Sequence, residues 1–177
     1  MSTLKVQGNA SGSGAMTLIA PNTNSMQTIY LPDTSGTLLF QNAYNSLPTT
    51  SILETATITA SAPASTTNFD VVTQSVQYYT TNNANNWTLN VRGNSATTLN
   101  TVMSIGQSLT IAMLTTNGVT PYYMTAIQVD GIGQTIRWQG GAAPSSGNAS
   151  SVDVYGVTII KTAVSTYTVL ASQTQFR

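Results

Sequence analysis

Val152–Ser172, VDVYGVTIIKTAVSTYTVLAS, is the stretch on which the fold turns. Two runs rich in Val, Ile, Thr and Tyr flank a break at Lys161–Ser165, the signature of a β-hairpin. Side chains alternate across a strand, so Asp153, Tyr155, Val157 and Ile159 share one face while Val152, Val154, Thr158 and Ile160 share the other. Both faces carry apolar residues. Such a strand needs cover on both sides and is expected in the middle of a sandwich or jelly roll that upstream strands complete.

Those upstream strands are visible as Ile52–Ala60, Asp70–Thr80, Trp87–Gly93, Ser108–Thr115, Tyr122–Val129 and Gln134–Gln139, followed by Val152–Ile160 and Thr166–Ser172. Turn signals at Asn82-Asn83, Asn117-Gly118 and Gly131–Gly133 separate them, as in an antiparallel β-sandwich or jelly-roll body. No stretch makes a good amphipathic helix, and Leu99–Ile105 is expected to form at most a short helical turn or crossover. The expected fold class is therefore all-β.

Residues 1–40 read differently. Short extended runs at Leu4–Val6, Met16–Ala20, Gln27–Leu31 and Thr37–Phe40 are punctuated by NASGSG, PNTNS and PDTSG. Strands of about five residues cannot enclose a core alone, yet Leu18, Ile29, Leu31, Leu38, Leu39 and Phe40 need burial. The same residues of identical chains are the simplest partners, which predicts an intertwined attachment and oligomerisation segment. A polar linker follows at residues 41–50 (QNAYNSLPTT), and the β domain occupies 51–177.

Composition sets limits on partners. Only 6% of the 177 residues are charged, against about 25% in ordinary soluble domains. Five basic and five acidic residues cancel, leaving no footprint for nucleic acid. A neutral surface lacks the self-repulsion that keeps monomers apart, which favours an obligate assembly subunit. There is no Cys, hence no disulfide and no thiolate metal site. The N-terminus lacks a signal-peptide apolar core and no run is long enough to span a membrane, so synthesis in the cytosol without membrane insertion is expected.

The block Met16–Leu39, MTLIAPNTNSMQTIYLPDTSGTLL, resembles a repeated pattern of tailed-phage structural proteins, in which an apolar strand and a Pro-Asn turn lead to a strand ending in Leu-Pro-Asp-x-x-Gly-Thr-Leu. In the body, NNWTLNVRGNSATTLN, the RWQGG of Arg137–Gly141 and the closing TYTVLASQTQF are similar to a β-domain of virion proteins from phages of marine and freshwater bacteria. The resemblance implies a tail-fibre or capsid-decoration role, homotrimeric assembly, contacts with other virion proteins of the capsid or of the tail and baseplate, and location in the virion after synthesis in the host cytoplasm.

Chemistry is sparsely provided for. There is no His, which removes the commonest general base and nitrogen ligand. The acids Asp33, Glu54, Asp70, Asp130 and Asp153 are never adjacent, whereas glycoside hydrolysis needs two carboxylates across a sugar. Asp130 is expected to pair with Arg137 across a hairpin, Asp153 and Lys161 to meet other chains, and Glu54 and Asp70 to be solvated. With so few carboxylates no calcium site is expected, and Gly8, Gly12 and Gly14 read as a hinge rather than a phosphate loop. No cofactor and no enzymatic activity are expected. Trp138, Tyr122 and Tyr123 are the candidate contacts for neutral host-surface glycans, since aromatic faces stack on sugar rings. The alternative for Trp138, as for Trp87, is a place in the core, and Trp138 continues the alternating run Gln134–Gln139.

Overall fold

The computed structural model describes residues 54–177. The chain divides into two units, Met1–Thr49 and Thr50–Arg177, and all that follows concerns the second. Leu18, Ile29, Leu31, Leu38, Leu39 and Phe40, expected to make the oligomer contacts, lie outside the described residues.

Ten strands follow one another: β1 (Ala56–Thr59), β2 (Thr66–Asp70), β3 (Val76–Asn82), β4 (Trp87–Arg92), β5 (Ser108–Thr116), β6 (Met124–Val129), β7 (Ile132–Gly133), β8 (Ile136–Trp138), β9 (Val152–Ala163) and β10 (Thr166–Phe176). A four-residue helix, α1 (Leu99–Val102), interrupts them between β4 and β5. The all-β expectation holds for the described residues. The run expected as one strand at Asp70–Thr80 is instead the end of β2 and most of β3, split by a turn in which Thr73 N–H and hydroxyl both reach the Asp70 carbonyl.

A six-stranded sheet has the order β1-β3-β5-β9-β10-β8 and a four-stranded sheet the order β2-β4-β6-β7. From β1 to β6 the chain alternates between the two sheets, so each returning strand lands beside, and parallel to, its predecessor in the same sheet. Parallel neighbours need a crossover connection. Here the strand of the opposite sheet lies on that path. The antiparallel body expected from the turn signals is thus corrected: five of the eight strand pairings are parallel. Antiparallel pairing is confined to β6–β7, β5–β9 and the β9–β10 hairpin. Turn residues report where a chain reverses but not which strand it next meets, and that choice is made by the apolar faces.

The hairpin itself is as expected, with its tip at Val164–Ser165 and Ser165 at φ 50. β9 is central, flanked by β5 and β10. Its Tyr155, Val157 and Ile159 join Ile111 and Met113 of β5 and Val169 of β10 in one core with Trp87, Leu89, Val91, Met124, Ile127 and Val129 from the four-stranded sheet. Trp87 and Tyr155 meet edge to face across that core with ring centroids 5.3 Å apart, a geometry favoured by the ring quadrupoles. The opposite face of β9 (Val152, Val154, Gly156, Thr158, Ile160) stays half-buried among the described residues, so the two-sided cover expected for it is supplied on one side.

Candidate functional site

Trp138 ends β8, a three-residue edge strand held parallel to β10 by pairing of Trp138 with Ala171. Ala171 and Val169 point into the core, and Ile136 and Trp138 pack beside them, partly buried. β8 covers β10 only at Val169–Ala171. Beyond it the chain leaves through Gly140 (φ 75) and Gly141 (φ 80), conformations that glycine tolerates without strain. A groove of about 520 Å³ opens there between Trp138, Gln139, Ala142 and Pro144 on one side and Thr174 and Gln175 on the other. Trp138 is therefore partly buried against the core and also borders a neutral polar groove.

Tyr122 and Tyr123 are not brought to that groove. The Tyr122 amide donates to Asn117 Oδ1 at 3.1 Å, the Tyr123 amide to Asn86 Oδ1 at 3.0 Å, and the Tyr123 side chain packs on the core. The three aromatic candidates do not form one platform.

The loop 140–148 is fastened at its far end by a buried polar cluster at the start of β9. Asp153 lies on the inward face of β9, fully buried, and its Oδ2 accepts from Asn117 Nδ2 (2.9 Å), the Asn148 amide (3.1 Å) and Gln173 Nε2 (3.1 Å). Gln173 Nε2 also reaches the Ser146 carbonyl and Tyr155 Oη. Asn83 joins through Asn117 Oδ1 at 2.9 Å. Burial pushes the Asp153 carboxyl above the usual carboxylate range, opposed by the hydrogen bonds from Asn148, Gln173 and Asn117. Among the described residues, its Oδ1 and that of Asn83 have no hydrogen-bond partner. Asp153 was expected to meet other chains; it is instead the anchor of two of its own loops. The signal was present in the sequence, where an acid stands on the same strand face as Tyr155, Val157 and Ile159.

A second cluster fixes α1. The Asp130-Gly131 turn (φ 52 and 81) reverses the chain between β6 and β7, as Asp-Gly does in two-residue hairpins. It presents Asp130 to α1, where Oδ1 accepts from the Leu99 amide (2.6 Å) and Oδ2 from the Asn100 amide (3.0 Å). At the other end of the helix, buried Lys161 of β9 donates through Nζ to the carbonyls of Asn100 (2.6 Å) and Met103 (2.8 Å). The expected Asp130–Arg137 pair is not formed; both carboxylate oxygens of Asp130 are taken by the first amides of α1, whose orphan N–H groups and dipole favour a negative charge. Asp70, expected to be solvated, pairs with Arg92 Nε at 2.6 Å across β2–β4. Glu54 is exposed as expected.

Chemically, these carboxylates are committed to the fold: Asp70 to a guanidinium, Asp130 to two amides, Asp153 to three neutral donors. Among the described residues no three His, Cys, Asp or Glu side chains gather into a metal-binding group, and no helix is long and apolar enough to cross a membrane. No protein-family model, curated protein or solved structure matches the chain.

Proposed function

We propose that the chain is a non-enzymatic structural subunit of a tailed-phage particle, forming a homotrimeric surface appendage of the tail-fibre or capsid-decoration type, with a two-layer β-sandwich body and an N-terminal attachment segment. The observation that carries this reading is the fate of the charges. Of the charged side chains on the described residues, Asp70, Arg92, Asp130, Asp153 and Lys161 are spent on internal pairing, capping or buried hydrogen bonds, and Glu54, Arg137 and Arg177 are left on the exposed surface. A surface so poor in charge is poorly kept apart from copies of itself and suits permanent burial against neighbours. The similarity of Met16–Leu39 to phage structural proteins supports the same reading.

Quantitative mass spectrometry of purified particles tests it. Presence in the particle at a copy number divisible by three is the expected result, and absence from purified particles overturns the proposal. The ratio of the copy number to that of the major shell protein separates head from tail.

A second reading, contact with neutral host-surface glycans, is favoured by the groove beside Trp138, whose amide and hydroxyl lining suits uncharged sugars. Loss of host adsorption by particles carrying Trp138→Ala, with thermal stability retained, would support it.

A further inference from the structure

The outward face of the six-stranded sheet is wide, nearly uncharged and uncovered among the described residues. Strand register places Ile58, Tyr78, Leu114 and Val154 side by side across β1, β3, β5 and β9, and these make an apolar ridge. Beside it Gly156 faces Ala112 and Ser172, and the missing side chain leaves a trough of about 480 Å³ bordered by Thr110, Thr158, Leu170 and Arg137. Ile58, Leu170 and Phe176 on this face are among the exposed large apolar side chains. Arg137, at the margin beside Leu170, is the one charge among the described residues of the face.

We infer that copies of this chain pack against one another through this face, the Tyr78–Leu114–Val154 ridge of one copy seated in the Gly156 trough of the next. A ridge meeting a trough is a heterologous contact, which closes into a ring when the rotation between copies closes. At ~4.8 Å between strands and ~3.3 Å per residue the face covers roughly 600 Å², shared between the ridge contact with one neighbour and the trough contact with the other. The occupant is the chain itself because a charged partner would bury its charges here with no counter-charge beyond Arg137 at the margin, whereas a second copy brings a surface of the same nearly neutral chemistry. This inference rests on the reading of the chain as an assembly subunit and names the surface by which it assembles.

Light scattering of the full-length wild type, Val154→Lys, Thr110→Lys and the off-face control Val119→Lys tests it, with circular dichroism confirming that each is folded. Val119 is 85% exposed, so its variant reports the effect of an added charge alone. The expected result is a trimer mass for wild type and control and a threefold lower mass for the two face variants. Because Thr110 is exposed, its variant remains informative where Val154→Lys fails to fold. Face variants that stay trimeric overturn the inference and leave the assembly reading standing; a monomeric wild type overturns both. The chain has no Cys, so Thr158→Cys placed in the monomeric Thr110→Lys background gives a single thiol for maleimide labelling. Rapid labelling is expected, and protection in that monomer would show that the chain covers its own face and would sink the inference.

Discussion

Asp153 shows how much one residue does in a chain so poor in charge. Three donors converge on its Oδ2; Asp153→Ala would leave Asn117 Nδ2 and the Asn148 amide unpaired, at about 1–3 kcal/mol apiece before relaxation, while Gln173 keeps the Ser146 carbonyl and Tyr155 Oη. Asp153→Asn keeps an acceptor for them and should cost clearly less, as urea unfolding of the two variants will show. Burial raises the folded-state carboxyl above its ordinary 3.8. Ionisation is therefore harder folded than unfolded, and the folded state binds more protons between the two values. Stability should be greatest below the unfolded value and fall as pH rises through the folded one. Denaturant titrations across that window should show the slope in the wild type and its loss in Asp153→Asn. Gly147 is a companion constraint. A Cβ there would lie 2.6 Å from Asn117 Nδ2 and 2.8 Å from Asp153 Oδ2, so Gly147→Ala should lower stability by about 1–3 kcal/mol through overpacking, measured as a drop in Tm.

At the scale of elements, α1 is too short to hold itself together, since a single turn fixes many dihedrals for few hydrogen bonds. Its ends are held from two different sheets: Asp130 from the β6–β7 turn and Lys161 from β9. The hairpin tip is tied in as well, by the Ser165 amide donating to Asn100 Oδ1 at 2.9 Å. Thr98 caps the helix through the Thr101 amide, but that bond alone does not anchor it. Lys161→Met should cost about 1.5–3 kcal/mol for the lost charge-assisted bonds and should raise hydrogen exchange at Met103, whose amide bonds the Leu99 carbonyl. Exchange unchanged at Met103 would mean that the helix stands without its lysine.

For the whole molecule, the bond between the two sheets is the packing of Trp87 on Tyr155 and its neighbours. Trp87 is 1% exposed, so Trp87→Ala should open a cavity costing about 3–5 kcal/mol, whereas Trp138→Ala, on a short edge strand, should cost distinctly less. Chemical denaturation of both variants decides it; equal losses would show that β8 is as integral to the core as β4. The two-sheet winding also predicts that β1 and β2, which begin it and lie at the sheet edges, exchange their amides before β5 and β9 do.

Much of this was legible along the chain. Alternation of Val, Ile, Thr and Tyr sufficed to place β4, β5, β9 and β10 and to mark the hairpin, because strand formation is governed by nearest-neighbour spacing. The short helical turn near Leu99 and the core position of Trp87 were legible for the same reason. What only the tertiary structure decided are the relations between distant segments: the parallel neighbours β1–β3–β5 and β2–β4–β6, the capture of Asp130 and Lys161 by α1, and the separation of Trp138 from Tyr122 and Tyr123. None of these has a local signature, since a strand's pattern says which face is buried but not against what. Charged groups then take whichever unpaired amides and carbonyls the packing brings within reach.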